Sequence, residues 1–160
     1  MTVVGSDQGE IRSGDTIKGR EGLVSVLNLR HEVEQRLATG AGFNNSSTRH
    51  SPLIVDKEFG KDSPAFFSAL DNKETLTSVM IEWYRFDPSG IETLFYKIRL
   101  ENAILVKVES SSPISWRGDP HNMKFIESYS FAYETIDWSW GPDGASAYKA
   151  KWNRARNAET

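Results

Sequence analysis

A chain of 160 residues is long enough to close one core without a metal or a disulfide, and the lack of cysteine removes thiolate zinc sites and cysteine nucleophiles together. A formal charge of -3 offers no general attraction to phosphate, so a nucleic-acid partner requires a local basic patch. The 38% hydrophobic content and five tryptophans argue against disorder, and no apolar run approaches the roughly 20 residues of a membrane span.

The start, "MTVVGSDQGEIRSGD", lacks a basic segment followed by a long apolar run, so any export is expected to proceed without a signal peptide. Residues 1–22 are rich in Gly, Ser and Asp and predict turns with at most a weak first strand. "GLVSVLNLRHEV" alternates Leu23, Ser25, Leu27 and Leu29 against Val24, Val26, Asn28 and Arg30, the pattern of a strand covered on both faces. "RHEVEQRLA" suits a turn or two of helix. Residues 39–51 read as a long loop of small polar residues carrying one aromatic, Phe43. "PLIVDKEF" is a strand by its β-branched content. In "KDSPAFFSAL", Ser63 is placed to cap a helix, Pro64 suits its first position, and Phe66, Phe67 and Leu70 share a face.

Residues 78–108 contain three runs of strand formers separated by two short breaks. The first break, "DPSG", is a turn in which Pro88 presets φ and Gly90 permits a positive one. Before it, Val79, Ile81 and Trp83 alternate with Met80, Glu82, Tyr84 and Phe86, so neither face is reliably polar. After it, Leu94, Tyr96, Ile98 and Leu100 alternate with Thr93, Phe95, Lys97 and Arg99. "SSSPISWRGDPHNM" is a loop. "ESYSFAYETIDWSW" puts Tyr129, Phe131 and Tyr133 on one face and Ile136, Trp138 and Trp140 on the other, which predicts a bulge or bend near Glu134 and Thr135. A "GPDG" break precedes a short amphipathic strand. The elements together predict a single mainly β domain over 1–160. Many strands, mostly sequential, with one short helix suit a small β-barrel or a sandwich.

Catalytic chemistry finds little support. His31, His50 and His121 sit in unrelated contexts without metal-ligand spacing, and Asp119-Pro120-His121 reads as a turn because no serine stands in a nucleophile elbow. Glu32 with Glu34, and Glu127 with Glu134, are expected on solvated strand faces. Gly40-Ala41-Gly42 lacks the Lys-Ser/Thr pair of a phosphate cradle. No catalytic, cofactor or metal site is expected. The C-terminal run interleaves Lys149, Lys151, Arg154 and Arg156 with Tyr148 and Trp152, which suits either a single-stranded nucleic-acid binder or an edge strand with solvated bases. Tyr84, Phe86 and Phe95 are apolar on nominally outward faces, and either local cover or subunit contacts account for them.

"TIKGREG", "HSPLIVDKEFGKDSPAFFSAL", "VMIEWYRFDPSGIETLFYKIRLENAILVKV", "ESYSFAYETIDWSW" and "AYKAKWNRARN" occur in the order and spacing of the haemolysin-coregulated protein family. Over about residues 15–157 the chain resembles this tube-forming component of the bacterial type VI secretion system. The resemblance implies a small twisted β-barrel, two packed antiparallel sheets with one short α-helix, a long extended loop at 31–50 and a tail at 154–160, in a non-enzymatic subunit without cofactor, six copies of which form a ring. Rings stack into a hollow tube that a contractile sheath expels, with a spike at its tip and small effectors in its lumen. It implies residence in the bacterial cytoplasm followed by secretion, with no nucleic-acid partner and no membrane insertion. A phage-tail-like tube protein and a nucleic-acid-binding barrel using the basic tail are the alternatives. By family position, residues 31–50 reach an adjacent subunit or ring, with Val33, Leu37 and Phe43 as apolar anchors and Arg36 and Arg49 for ion pairs; Phe95 and Trp152 complete the expected interface. The chain departs from the family by placing "GSDQGEIRSGD" before its I-K-G segment, which predicts a short or displaced first strand.

Overall fold

The computed structural model describes residues 1–36, 47–112, 124–141 and 148–155. Along the chain run β1 (Thr2–Gly5), β2 (Gly9–Ile11), β3 (Asn28–Arg30), β4 (Val33–Arg36), β5 (Ser47–His50), β6 (Leu53–Glu58), α1 (Ser63–Asp71), β7 (Leu76–Phe86), β8 (Glu92–Ser111), β9 (Ile126–Trp140) and β10 (Tyr148–Asn153). One antiparallel sheet has the order β2-β1-β7-β8-β9-β6-β3 with β10 also on β9, and β4-β5 form a separate ribbon.

The "DPSG" turn closes the β7–β8 hairpin. Gly90 has φ 81°, and Asp87 Oδ1 accepts from the N–H groups of Ser89 and Ile91, each at 2.9 Å. Beyond it, the second expected break does not interrupt β8, which runs for 20 residues. The chain bends there. Buried residues on β8 run Ile98, Leu100, then Ala103, Leu105; on β9 they run Phe131, Tyr133, then Ile136. The ladder holds one register through this change, with Leu100 opposite Ile136 and Ala103 opposite Tyr133. Both strands therefore take three residues instead of two between inward side chains. Asn102 supplies the left-handed step at φ 50°, and its Nδ2 donates to Glu134 Oε2 at 2.8 Å. The face change expected near Glu134 and Thr135 is thus a paired kink. It lets the first half of β9 pair with β6 and the second half with β10.

The other side of the sheet is closed by residues 24–30. The Met1 ammonium donates to the Val24 carbonyl at 2.7 Å, the Val24 N–H donates back to Met1 at 2.9 Å, and the Leu27 N–H donates to Asp56 at 2.8 Å. Because these bonds bridge two walls, the stretch expected as one strand is regular only over β3. The N-terminal segment is more ordered than its composition suggests: Val3 and Ile11 sit opposite one another in the β1–β2 hairpin, and both are buried. "RHEVEQRLA" forms no helix. Its β4 pairs with β5, which lies inside the expected loop, and this ladder satisfies backbone groups that one helical turn would leave open.

Helix α1 starts one residue earlier than expected. Asp62 is the N-cap without a side-chain cap bond, and Ser63 is the first helical residue. Phe66 is fully buried against Tyr129, ring centroids 4.6 Å apart, while Phe67 faces outward.

Candidate assembly surface

Register sets β8, β9 and β10 side by side, giving the rungs Tyr96–Trp140–Tyr148, Lys97–Ser139–Lys149, Ile98–Trp138–Ala150, Arg99–Asp137–Lys151 and Leu100–Ile136–Trp152. Alternate rungs face opposite ways. The rungs containing Leu100, Ile98 and Tyr96 continue the core side, but burial falls along them: Leu100 and Ile136 have no exposed surface, whereas Trp140 is 41% and Tyr148 71% exposed. Their rings lie 5.6 Å apart. An aromatic strip therefore runs out of the core to the far side of β10, which among the described residues pairs only with β9.

The opposite face is basic but partly compensated. Lys151 Nζ lies 3.4 Å from Glu101 Oε2 and 3.5 Å from Asp137 Oδ2, and Arg99 lies 3.3 Å from Glu101. Exposed pairs of this kind contribute little stability, yet they reduce the charge that the C-terminal run offers to a polyanion. Arg156 lies outside the described residues.

A second apolar patch sits at the β7–β8 tip, where Phe86 is 72% and Ile91 62% exposed. The outward aromatics Tyr84 and Phe95 have local cover. The Arg20 guanidinium lies 4.0 Å over the Tyr84 ring, and that of Arg85 lies 5.2 Å over Phe95, which is half-buried.

The ribbon positions divide. Val33 is exposed and opposite His50, and the Arg36 backbone is opposite Ser47. Arg49 finds its carboxylate inside the ribbon, at 3.3 Å from Glu34 Oε1. Leu37 and Phe43 lie outside the described residues. Trp152 is half-buried and stacked on His50, ring centroids 3.8 Å apart at 19°, so it joins the ribbon to the barrel of its own chain. The two histidines share a site despite their unrelated sequence contexts: His31 Nε2 and His50 Nδ1 lie 2.6 and 3.0 Å from Tyr133 Oη. No local pattern connects positions 31, 50, 133 and 152.

Glu127 is not on a solvated face. It is buried with Lys57, Asp62 and Ser63 beneath the start of α1. Lys57 Nζ lies 3.3 Å from Glu127 Oε2 and 3.3 Å from Asp62 Oδ2, the latter off the line of a hydrogen bond. It donates to the Glu58 carbonyl at 2.7 Å, while Ser63 Oγ and Tyr129 Oη donate to Glu127. Burial, then Glu127, push the Tyr129 phenol far above its usual pKa. Helix α1 is thereby tied to β6 and β9. Among the described residues no group of three or more His, Asp and Glu is arranged to hold a metal, and no helix is long and apolar enough to cross a membrane.

Residues 6–140 match the family described as "Type VI secretion system effector, Hcp". The Major exported protein of Pseudomonas aeruginosa is 32% identical over 157 residues, 91% of this chain and 90% of that one. Two solved structures align with a TM-score of 0.80. One is the crystal structure of an Hcp protein, at 22% identity over 95% of this chain and 96% of the other. The second is a tryptophan mutant of Hcp1 from E. coli EAEC 042, at 23% identity over 96% and 95%. Secreted protein Hcp3 from Pseudomonas aeruginosa aligns at TM-score 0.70 and 25% identity, over 95% and 96%. The chain belongs to the Hcp family of type VI secretion proteins, which are structural, secreted components and not enzymes.

Proposed function

We propose that this chain is the tube subunit of a type VI apparatus. Six copies close into a ring, rings stack into a hollow tube inside the sheath, and contraction expels tube and spike from the bacterial cytoplasm, with small effectors in the lumen or without them. The aromatic strip that leaves the core and ends on Trp140 and Tyr148 beside the outer side of β10 carries this reading. Such a surface is stabilised by burial against another copy, and a strand edge is protected by the same contact. Phe86 and Ile91, on the hairpin tip, supply a second patch for contact between copies. Val33, Arg36, Leu37, Phe43 and Phe95 make contacts between subunits, whereas Arg49 and Trp152 act at one remove, by bracing the ribbon on their own chain. Size-exclusion chromatography with light scattering, followed by electron microscopy, tests the assembly. Hexameric rings are expected, and Leu37→Asp or Phe43→Ala lowers their fraction while circular dichroism stays unchanged. A strict monomer at high concentration overturns the reading.

A further inference from the structure

The β4–β5 ribbon meets the barrel wall at the Tyr133 hydroxyl, which lies within hydrogen-bond distance of both His31 Nε2 and His50 Nδ1. A phenol has one hydrogen, so it donates to one ring nitrogen and accepts from the N–H of the other. Two neutral imidazoles and one neutral phenol thus match donor to acceptor at these three atoms, and no metal is needed to explain their convergence. The surroundings are aromatic. Trp152 stacks on His50 and meets the Tyr133 ring edge-on at 6.0 Å, and the Trp138 ring is 6.1 Å from each imidazole.

Protonation of the imidazole that accepts the phenol hydrogen breaks this balance. Both ring nitrogens facing the phenol then carry hydrogens, both donate to its oxygen, and the phenol hydrogen loses its acceptor. A cation is also placed, half-buried, against indoles and a phenol. Stacking of a cationic His50 on the Trp152 face returns less than the lost bond and the desolvation together cost.

We propose that the His31–Tyr133–His50 cluster is a proton-operated latch: with both imidazoles neutral it holds the ribbon against β9 and β10, and protonation releases it. The charged residues on the elements around it are engaged elsewhere. Arg30 on β3 pairs with Asp56, Glu34 with Arg49 on the ribbon, Glu134 on β9 accepts from Asn102, and Lys151 on β10 sits by Glu101 and Asp137. Glu32, just before β4, and Arg154, after β10, are exposed to solvent. Burial lowers the pKa of His31, and burial followed by the charge of His31 lowers that of His50, both from 6.5. A folded pKa below the unfolded one contributes stability that is fully present above pH 6.5 and is lost as pH falls from there through the lowered values.

Amide hydrogen exchange, corrected for intrinsic rates and compared at about pH 7.5 and about pH 5.5, tests the latch in the intact protein. Opening of residues 33–36 and 47–50 is expected to rise by up to about tenfold per pH unit below 6.5 for each proton taken up, while β7 is unaffected. In the double variant His31→Gln/His50→Asn this pH effect vanishes. Should that variant fail to fold, NMR titration of the wild-type imidazoles decides, with both rings expected to titrate below 6.5. Equal protection of the ribbon at both pH values, a pH effect surviving in the double variant, or both rings titrating at or above 6.5 overturns the proposal.

Discussion

Replacing Lys57 with methionine preserves most of the aliphatic stem and deletes one buried positive charge. The side chains of Lys57, Asp62 and Glu127 are 3%, 1% and 3% exposed, so water does not screen what is left. Glu127 keeps its bonds from Ser63 and Tyr129, but Asp62 loses the countercharge 3.3 Å away, and the Glu58 carbonyl loses its 2.7 Å donor. Two buried carboxylates that share one cation and lose it cost about 3–5 kcal/mol, the range for breaking a buried pair from one side. Against a domain stability of about 5–15 kcal/mol, that loss is a large fraction. Urea unfolding at fixed protein concentration, followed by circular dichroism, measures it, and Lys57→Met/Glu127→Gln is expected to recover part of the loss because one of the two negative charges is also removed. A loss below about 1 kcal/mol for the single variant, or a double variant no more stable than the single, refutes the assignment of these charges as mutually dependent.

Glu74 is buried, which alone raises its pKa. The bonds it accepts from the Gln8 side chain at 2.6 Å and from the Gln8 and Asp7 N–H groups at 2.9 and 2.8 Å outweigh burial and hold it below 4.5. Its contribution is therefore present above pH 4.5 and is lost as pH falls through the lowered value, so Glu74→Gln flattens the fall in unfolding midpoint between about pH 7 and pH 3. At the paired kink, Asn102→Ala loses about 1–2 kcal/mol from the left-handed backbone in addition to the bond to Glu134, whereas Asn102→Gly loses chiefly the bond; urea midpoints rank them wild type, Gly, Ala. Tyr148→Glu, at a position 71% exposed, leaves the thermal midpoint of the monomer unchanged and lowers the hexamer fraction in light scattering.

Local patterns made much of the fold legible. Alternation and the "DPSG" turn define the β7–β8 hairpin, "PLIVDKEF" defines β6, and "SPAFFSAL" marks the helix, although of its expected face Phe66 is buried and Phe67 is exposed. The parity change of the β9 aromatics located the kink within two residues, since a side-chain period of two registers any inserted step. These signals are one-dimensional: they report which residues turn inward, and they determined that this chain is a two-sided antiparallel β protein. Only the tertiary structure decided which inward residues meet. Glu127 looks like a solvated strand acid until β6 sets Lys57 opposite it, and His31 and His50 look unrelated until the ribbon brings both to Tyr133. Hydrogen-bond register between strands distant in sequence chooses those partners, and neither periodicity nor composition carries that information.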